Sequence, residues 1–323
     1  MVFCAIAEVA LPLADWTFHG ASVEVFSLAA HYDNESALAA QLADCAIIVV
    51  MRERTPVTAS LMERLPALRL VVTSGMRNAA IDLDAARARN IIVCGTASDA
   101  APPMELACAL ILGLARHLVP ENQALRHNGP WQHSLGMTLK GKRLSLLGLG
   151  KIGGAMAPVA QAFGMDVIAW SHHLDADSAA AAGVALAASK EALLAASDIV
   201  SVYLVLSERT RGLIGAAELA RIKPGALLIN TSREVIVELQ ALITALEQGR
   251  IAGAGLDVFD VEPLPAQDRL RQLPNVLATP HLGYVADSNY RIYFREAVED
   301  IQAWLNDAPV RDAMRCDTEE DHR

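Results

Sequence analysis

Three side chains set far apart in this sequence have the types that proton-coupled reduction of a carbonyl demands. Arg233 closes Asn230-Thr231-Ser232-Arg233, Glu262 stands in Asp257-Val258-Phe259-Asp260-Val261-Glu262-Pro263, and His281 in Thr279-Pro280-His281-Leu282-Gly283. A hydride added to a carbonyl carbon leaves an oxygen that must take a proton. A charged imidazole has to stand at that oxygen, and a neighbouring carboxylate keeps it charged near neutral pH. Arginine adds a planar fork that grips a carboxylate through two parallel hydrogen bonds, as the compact ammonium of lysine does not. Taken singly, Arg233 reads as a strand-end surface cation, Glu262 before Pro263 as a solvated loop acid and His281 after Pro280 as a turn histidine. In this order and together they point to acid–base chemistry on a 2-oxo acid.

The hydride source is implied upstream, in Leu146-Leu147-Gly148-Leu149-Gly150-Lys151-Ile152-Gly153. A lone Gly-x-Gly-x-x-Gly is weak, but this one follows an apolar strand-like run and opens a helix. Gly148 then makes the tight turn, Gly150 admits a pyrophosphate and Gly153 lets helix and sheet pack closely, while Lys151 and Ile152 begin the helix whose N-terminus receives the phosphates. A dinucleotide fold of this kind commonly carries an acid at the end of the second strand, to hold the adenosine ribose. Here Val167-Ile168-Ala169-Trp170 runs into Ser171-His172-His173. With no carboxylate to repel it, a 2′-phosphate can be received by the Ser171 hydroxyl and the His172 imidazole, which tips a near-even balance slightly from NAD to NADP; Asp175 can still reach the ribose instead.

Short β-rich runs alternate with alanine- and leucine-rich helical stretches, the pattern of parallel sheets covered on both faces. Strands are expected near residues 2–7, 23–27, 46–51, 68–73 and 91–94, with helices near 35–44, 59–64 and 82–89. Ala101-Pro102-Pro103 punctuates the chain before a long apolar helix over 104–117. Six strands follow, near 144–148, 167–171, 199–204, 226–230, 253–257 and 276–278, with a helix over 152–163, and make a complete dinucleotide-binding sheet. A last amphipathic helix over 288–306 lies beyond that sheet and returns to the first domain, and the acidic tail from Asp317 frays.

The chain of 323 residues is 53% apolar and carries a formal net charge of −10, enough for about two domains with large cores. The acidity argues against nucleic acid or an anionic membrane as the main partner. Five scattered cysteines, Cys4, Cys45, Cys94, Cys108 and Cys316, form no Cys-x-x-Cys pair and no metal-like group with histidine, so no metal is expected and the thiols read as small buried hydrophobes in a reducing compartment. His19, His31, His127, His133 and His322 read as surface histidines, and His117 as a helix histidine. No apolar run reaches the roughly 18 residues of a membrane span, and the expected location is the cytoplasm.

The segments 148–153, Phe163-Gly164-Met165-Asp166-Val167, 230–233, 257–263 and 279–283 resemble those of the D-isomer-specific 2-hydroxyacid dehydrogenase family, over nearly the whole chain. The resemblance implies an α/β fold of two Rossmann-like domains with doubly wound parallel sheets: a discontinuous substrate domain from residues 1–100 and 286–323, and a central dinucleotide-binding domain from 101–285. It implies that Arg233 binds the substrate carboxylate and carbonyl oxygen, that His281 is the acid/base and that Glu262 pairs with it. It implies further that the loop of Ser74, Gly75, Met76 and Arg77 receives the carboxylate through backbone amides. Thr231, Ser232, Asp257 and Gly283 join the cofactor set, with Asp257 and the Ser232 region facing the nicotinamide amide.

The chain departs from the family pattern in four places. Glu234 stands where glycine is usual, putting a negative charge beside Arg233, and Val205 replaces a common proline beside the nicotinamide. Tyr284 replaces a small residue and either narrows the pocket or packs at the domain junction. Arg52, Glu53 and Arg54 end the strand near 46–51, where an arginine, or Arg77, could meet substrate. The resulting expectation is an NAD(P)-dependent reductase of small 2-oxo acids, with glyoxylate and hydroxypyruvate first. Alternatives are phosphite oxidation on the same scaffold and a non-catalytic, corepressor-like nucleotide sensor; formate oxidation fits less, because its histidine pairs with glutamine. The segment 119–139, with Trp131 at its centre, is expected to help form a homodimer.

Overall fold

The computed structural model describes residues 2–28, 32, 34–308, 311 and 313. His31, Cys316, His322 and the acidic tail from Asp317 lie outside the described residues. The chain divides into two compact units, residues 1–99 with 286–323, and residues 100–285.

In the first unit five strands, β1 (Val2–Ala7), β2 (Val23–Leu28), β3 (Cys45–Val50), β4 (Leu70–Thr73) and β5 (Ile92–Gly95), form one sheet in the order β2-β1-β3-β4-β5. Every pair is parallel, so each connection must cross over the sheet, and the helices Glu35–Leu42, Ala59–Glu63 and Leu83–Ala88 provide crossovers. Each of the three starts at a side-chain cap, where Asn34, Thr58 or Asp82 accepts from a backbone N–H of the first turn. Apolar runs such as Leu70-Val71-Val72 are buried on both faces, and Leu42, Leu61, Met62, Leu65 and Leu68 fill the space under the helices. The helix Asp287–Leu305 turns Tyr290, Tyr293, Phe294, Ala297 and Ile301 inward and packs on β4. Cys4, Cys45 and Cys94 are buried, and burial pushes the Cys4 thiol up to about 12 and that of Cys45 to about 11.

The second unit holds a seven-stranded sheet: β6 (Arg143–Leu147), β7 (Asp166–Trp170), β8 (Ala185–Leu186), β9 (Ile199–Val202), β10 (Leu227–Asn230), β11 (Gly253–Leu256) and β12 (Val276–Ala278), in the order β12-β11-β10-β9-β6-β7-β8. The sequence pattern gives six of these strands. The seventh, β8, is an exposed two-residue edge strand, too short to show a period. All pairs are again parallel, and the chain order reverses between β6 and β9, the switch point at which open α/β sheets bind ligands.

Two expectations need correction. Ala101-Pro102-Pro103 does not precede the long helix but forms its first turn, Ala101–Ala115, where the missing proline N–H groups have no helical partner to lose. The helix then breaks at His117, whose backbone is left-handed (φ 51°), and a second helix, Leu118–Arg126, occupies the start of the segment expected to help form a homodimer. No single helix among the described residues is long and apolar enough to cross a membrane. The two together meet that test by length and composition only, but they bend by 63° at the break, and Ala107, Leu110, Ile111 and Ala115 are buried in the core of the second unit.

Candidate active site

Because the seven strands run parallel, their C-terminal ends share one edge, and that edge carries Gly148 after β6, Ser171 after β7, Thr231 to Arg233 after β10, Asp257 after β11 and His281 beyond β12. Gly148 has φ 101°, a conformation L side chains rarely adopt, and a Cβ there would fall 2.9 Å from the Tyr203 carbonyl carbon. A Cβ on Gly153 would collide with the Gly148 oxygen, so helix and turn meet only through glycine. At Gly150 a Cβ would meet nothing within 4 Å. The fold itself does not demand glycine there, whereas the close approach of a pyrophosphate would. Gly150 is also the N-cap of the helix Lys151–Ala162 and offers no side-chain cap, which leaves N–H groups of the first turn for a phosphate. The residues present therefore fit a dinucleotide.

Ser171 is half-buried directly after β7, and His172 sets its ring against Trp170 with centroids 5.0 Å apart. Asp175 is drawn away from the ribose role: it caps the helix Ala176–Ala181, accepting from Ser178 N at 2.7 Å, and that bond holds its carboxyl below the usual range.

Asn230, buried at the end of β10, shapes the Arg233 turn. Its Nδ2 donates to Arg233 O at 2.9 Å and its Oδ1 accepts from Ser232 N at 3.1 Å, while Ser232 Oγ donates to Leu204 O. Arg233 Nη1 donates to Ser232 O at 2.8 Å. Asp257, 1% exposed, does the same for the His281 turn: its Oδ1 accepts from Thr279 Oγ1 at 2.6 Å and Leu282 N at 2.7 Å, and its Oδ2 from Gly283 N at 2.8 Å. Burial outweighs these bonds and raises the Asp257 carboxyl. The resemblance implied that Asp257 faces the nicotinamide amide; here its oxygens already hold the turn. A family motif points to these positions, but only the structure shows the positioning work.

His281 and Glu262, 19 residues apart, meet at Nδ1···Oε2 2.7 Å, and Glu262 Oε1 accepts from Phe259 N at 2.9 Å. Burial pushes the Glu262 carboxyl up. The hydrogen bond and charge of His281, the Phe259 amide and the charge of Arg233 more than offset this and hold it below the usual carboxylate range. The three residues named first from the sequence thus form one electrostatic group. The Glu234 carboxyl is raised by burial and by the negative charge of Asp260, so the substitution beside Arg233 sits in an environment that disfavours its charge. Val205 is 68% exposed just beyond β9, an apolar surface at the cofactor edge. Tyr284, by contrast, is buried and edge-on to His281.

In the first unit, the C-terminal ends of β3, β4 and β5 carry the second expected group. Arg52 N donates to Ser74 Oγ at 2.9 Å, Asn78 Nδ2 donates to Arg52 O at 2.7 Å, and a Cβ at Gly75, φ 84°, would fall 2.5 Å from Arg52 Nη1. Two of the amides expected to receive a carboxylate are engaged within the fold: Ser74 N donates to Val50 O at 3.1 Å and Gly75 N to Thr96 Oγ1 at 2.9 Å.

A parallel sheet with a glycine-built phosphate turn at its switch point, and a histidine–carboxylate pair beside an arginine on the same edge, defines a dinucleotide-dependent oxidoreductase domain. Comparison with known proteins makes the class specific. Residues 108–283 match the model of the D-isomer specific 2-hydroxyacid dehydrogenase NAD-binding domain. The chain is 39% identical over 235 residues to a glyoxylate reductase of Thermococcus litoralis, covering 69% of this chain and 70% of that protein. It is 35% identical to a hydroxypyruvate reductase of Thermotoga maritima over 79% of this chain and 83% of that one. Among solved structures, a phosphoglycerate oxidoreductase from Vibrio cholerae superposes with a TM-score of 0.88 at 33% identity, covering 95% of this chain and all of that one. The chain spans about half the length of the D-3-phosphoglycerate dehydrogenases of Bacillus subtilis and Synechocystis that it matches. The chain belongs to the D-isomer specific 2-hydroxyacid dehydrogenase family and is a nicotinamide-dependent oxidoreductase.

Proposed function

We propose that this protein reduces a small 2-oxo acid, glyoxylate or hydroxypyruvate first, to the D-2-hydroxy acid, and that it uses NADPH at least as readily as NADH. The observation that carries the reading is the 2.7 Å His281–Glu262 pair beside Arg233. When bound, the cofactor supplies the hydride; Gly148, Gly150, Lys151, Ile152 and Gly153 would hold its pyrophosphate, and Ser171 and His172 the adenosine ribose end. Arg233 grips the substrate carboxylate and polarises the carbonyl oxygen. His281, with Nδ1 tied to Glu262, presents Nε2 to that oxygen and gives up its proton as hydride arrives. We infer a cytoplasmic location from the burial of Cys4 and Cys45 as small core side chains. The test is oxidation of NADPH and NADH with a panel of glyoxylate, hydroxypyruvate, phosphohydroxypyruvate and pyruvate, with phosphite and formate assayed in the oxidative direction. The reading predicts turnover with the small 2-oxo acids, and silence across them would sink it.

The Glu262 carboxyl is held below its usual range, so its charge and the contact it makes with His281 survive into acid. Glu262→Gln removes the charge but keeps the shape. With that charge gone from the Nδ1 contact, kcat should fall by roughly tenfold while KM stays within about twofold. Unchanged kcat would make Glu262 structural.

We propose further that the protein is a twofold dimer through the surface around residues 118–135. Trp131 is 77% exposed and lines one surface pocket with Leu118, 56% exposed, and Leu125, 60% exposed, an apolar surface costly to leave wet. Light scattering should give twice the chain mass of 34.5 kDa, and a monomer at micromolar concentration would refute the assignment.

A further inference from the structure

A proton donor must be aimed as well as charged, and the Glu262 bond alone does not aim His281. One hydrogen bond to Nδ1 leaves the imidazole free to tilt about the Nδ1···Oε2 axis, and the Glu262 side chain is itself 35% exposed. The main chain on either side is firmly set. His281 is left-handed at φ 53°, a conformation few non-glycine residues adopt, with its N–H on Thr279 O at 2.9 Å, and the next two amides are held by Asp257. The backbone is thus pinned at several points and the ring at one. Three residues on, Tyr284 is 5% exposed and lays its ring 5.4 Å from the imidazole, centroid to centroid, at 73°. That is the favoured edge-to-face arrangement, in which a rigid plane with a negative face and positive edge resists tilting of its partner.

We propose that Tyr284 is a positioning residue for the proton transfer: its ring braces the His281 imidazole so that Nε2 keeps its direction toward the carbonyl oxygen. Tyr284 acts through His281 and touches no reacting atom. The proposal rests on the reading of His281 as proton donor, and it gives a purpose to a residue that replaces the family's usual small side chain. A flat aromatic ring is what the contact needs. An aliphatic side chain of similar bulk fills the space without the face or the quadrupole.

The experiment compares Tyr284→Phe and Tyr284→Leu. The phenylalanine variant should keep kcat within about twofold of the parent. The leucine variant should lose kcat by roughly tenfold, with KM for the 2-oxo acid and NADPH affinity, read by fluorescence, within about twofold, since a misaimed donor slows chemistry without weakening binding. A readout independent of turnover is the NMR shift of the His281 ring protons, assigned by their loss in His281→Gln. It should stay displaced from random-coil values in the parent and the phenylalanine variant, and relax toward them in the leucine variant. Parental kcat in the leucine variant, an equal fall in both variants, or unmoved ring protons would overturn the proposal. A parent without 2-oxo acid turnover but with displaced ring protons would instead refute the reductase reading and leave the brace standing. If the leucine variant does not fold, Tyr284→Met carries the same comparison.

Discussion

His281→Ala is expected to lower kcat by about a hundredfold or more while leaving NADPH affinity within about twofold, because a positioned general acid contributes roughly 100- to 10,000-fold. The split follows from where the groups lie. The dinucleotide turn is built by Gly148, Gly150 and Gly153 after β6, whereas His281 stands beyond β12 at the far side of the same edge, so removing the imidazole leaves the phosphate-binding turn untouched. The fold should also tolerate the change, since the His281 side chain is 22% exposed and its ring makes one hydrogen bond, to Glu262. What changes locally is the carboxylate. Burial pushes the Glu262 carboxyl up and His281 is the largest influence holding it down, so without the imidazole Phe259 N and Arg233 must hold it alone. Steady-state turnover at saturating substrate, with cofactor affinity by fluorescence, measures both halves. Near-parental turnover would remove His281 from the mechanism, and a large loss of NADPH affinity would mean that the ring supports the cofactor.

Much of this site is legible in the sequence because its parts are punctuated by the fold. A strand buried on both faces must be an unbroken apolar run, as in Leu227-Leu228-Ile229, and the residues just after such runs fall on one edge when all strands are parallel. That places Arg233, Asp257 and the glycine turn together before any coordinates are known. Pairing across 19 residues is harder: nothing in the spacing of Glu262 and His281 announces a 2.7 Å contact, and only the chemistry of carbonyl reduction suggests that the two should meet. Side chains that hold backbone are harder still. Asn230 and Asp257 look like strand-end polar residues, yet each is buried and spends its oxygens on the turn that presents a functional residue. The amides of Ser74 and Gly75 illustrate the converse. A loop with the right residues can have those donors already engaged, by Val50 O and Thr96 Oγ1, and sequence contains no record of that. The Pro102-Pro103 pair misleads for a physical reason as well, since proline interrupts a helix interior but suits a helix start.

Ser171→Asp should turn the enzyme toward NADH, changing the ratio of kcat/KM for NADPH over NADH by roughly 30-fold, equivalent to about 2 kcal/mol. The unmodified protein should use NADPH at least as well as NADH, because the end of β7 lacks the acid that would hold two ribose hydroxyls and repel a 2′-phosphate. Asp175, an acid soon after β7, accepts from Ser178 N at 2.7 Å as the cap of the following helix, and freeing it would leave that helix end without its side-chain partner. Ser171 directly follows the strand and is half-buried, so a carboxylate there meets an incoming 2′-phosphate at close range with incomplete screening by solvent. The same carboxylate can accept from ribose hydroxyls, which adds affinity for NADH, so specificity changes through attraction and repulsion together. The measurement is the pair of catalytic efficiencies in parent and variant at fixed ionic strength. A strong NADH preference in the parent would show that Asp175 or backbone groups replace the absent acid, and an unchanged ratio in the variant would place the 2′ position away from Ser171 altogether.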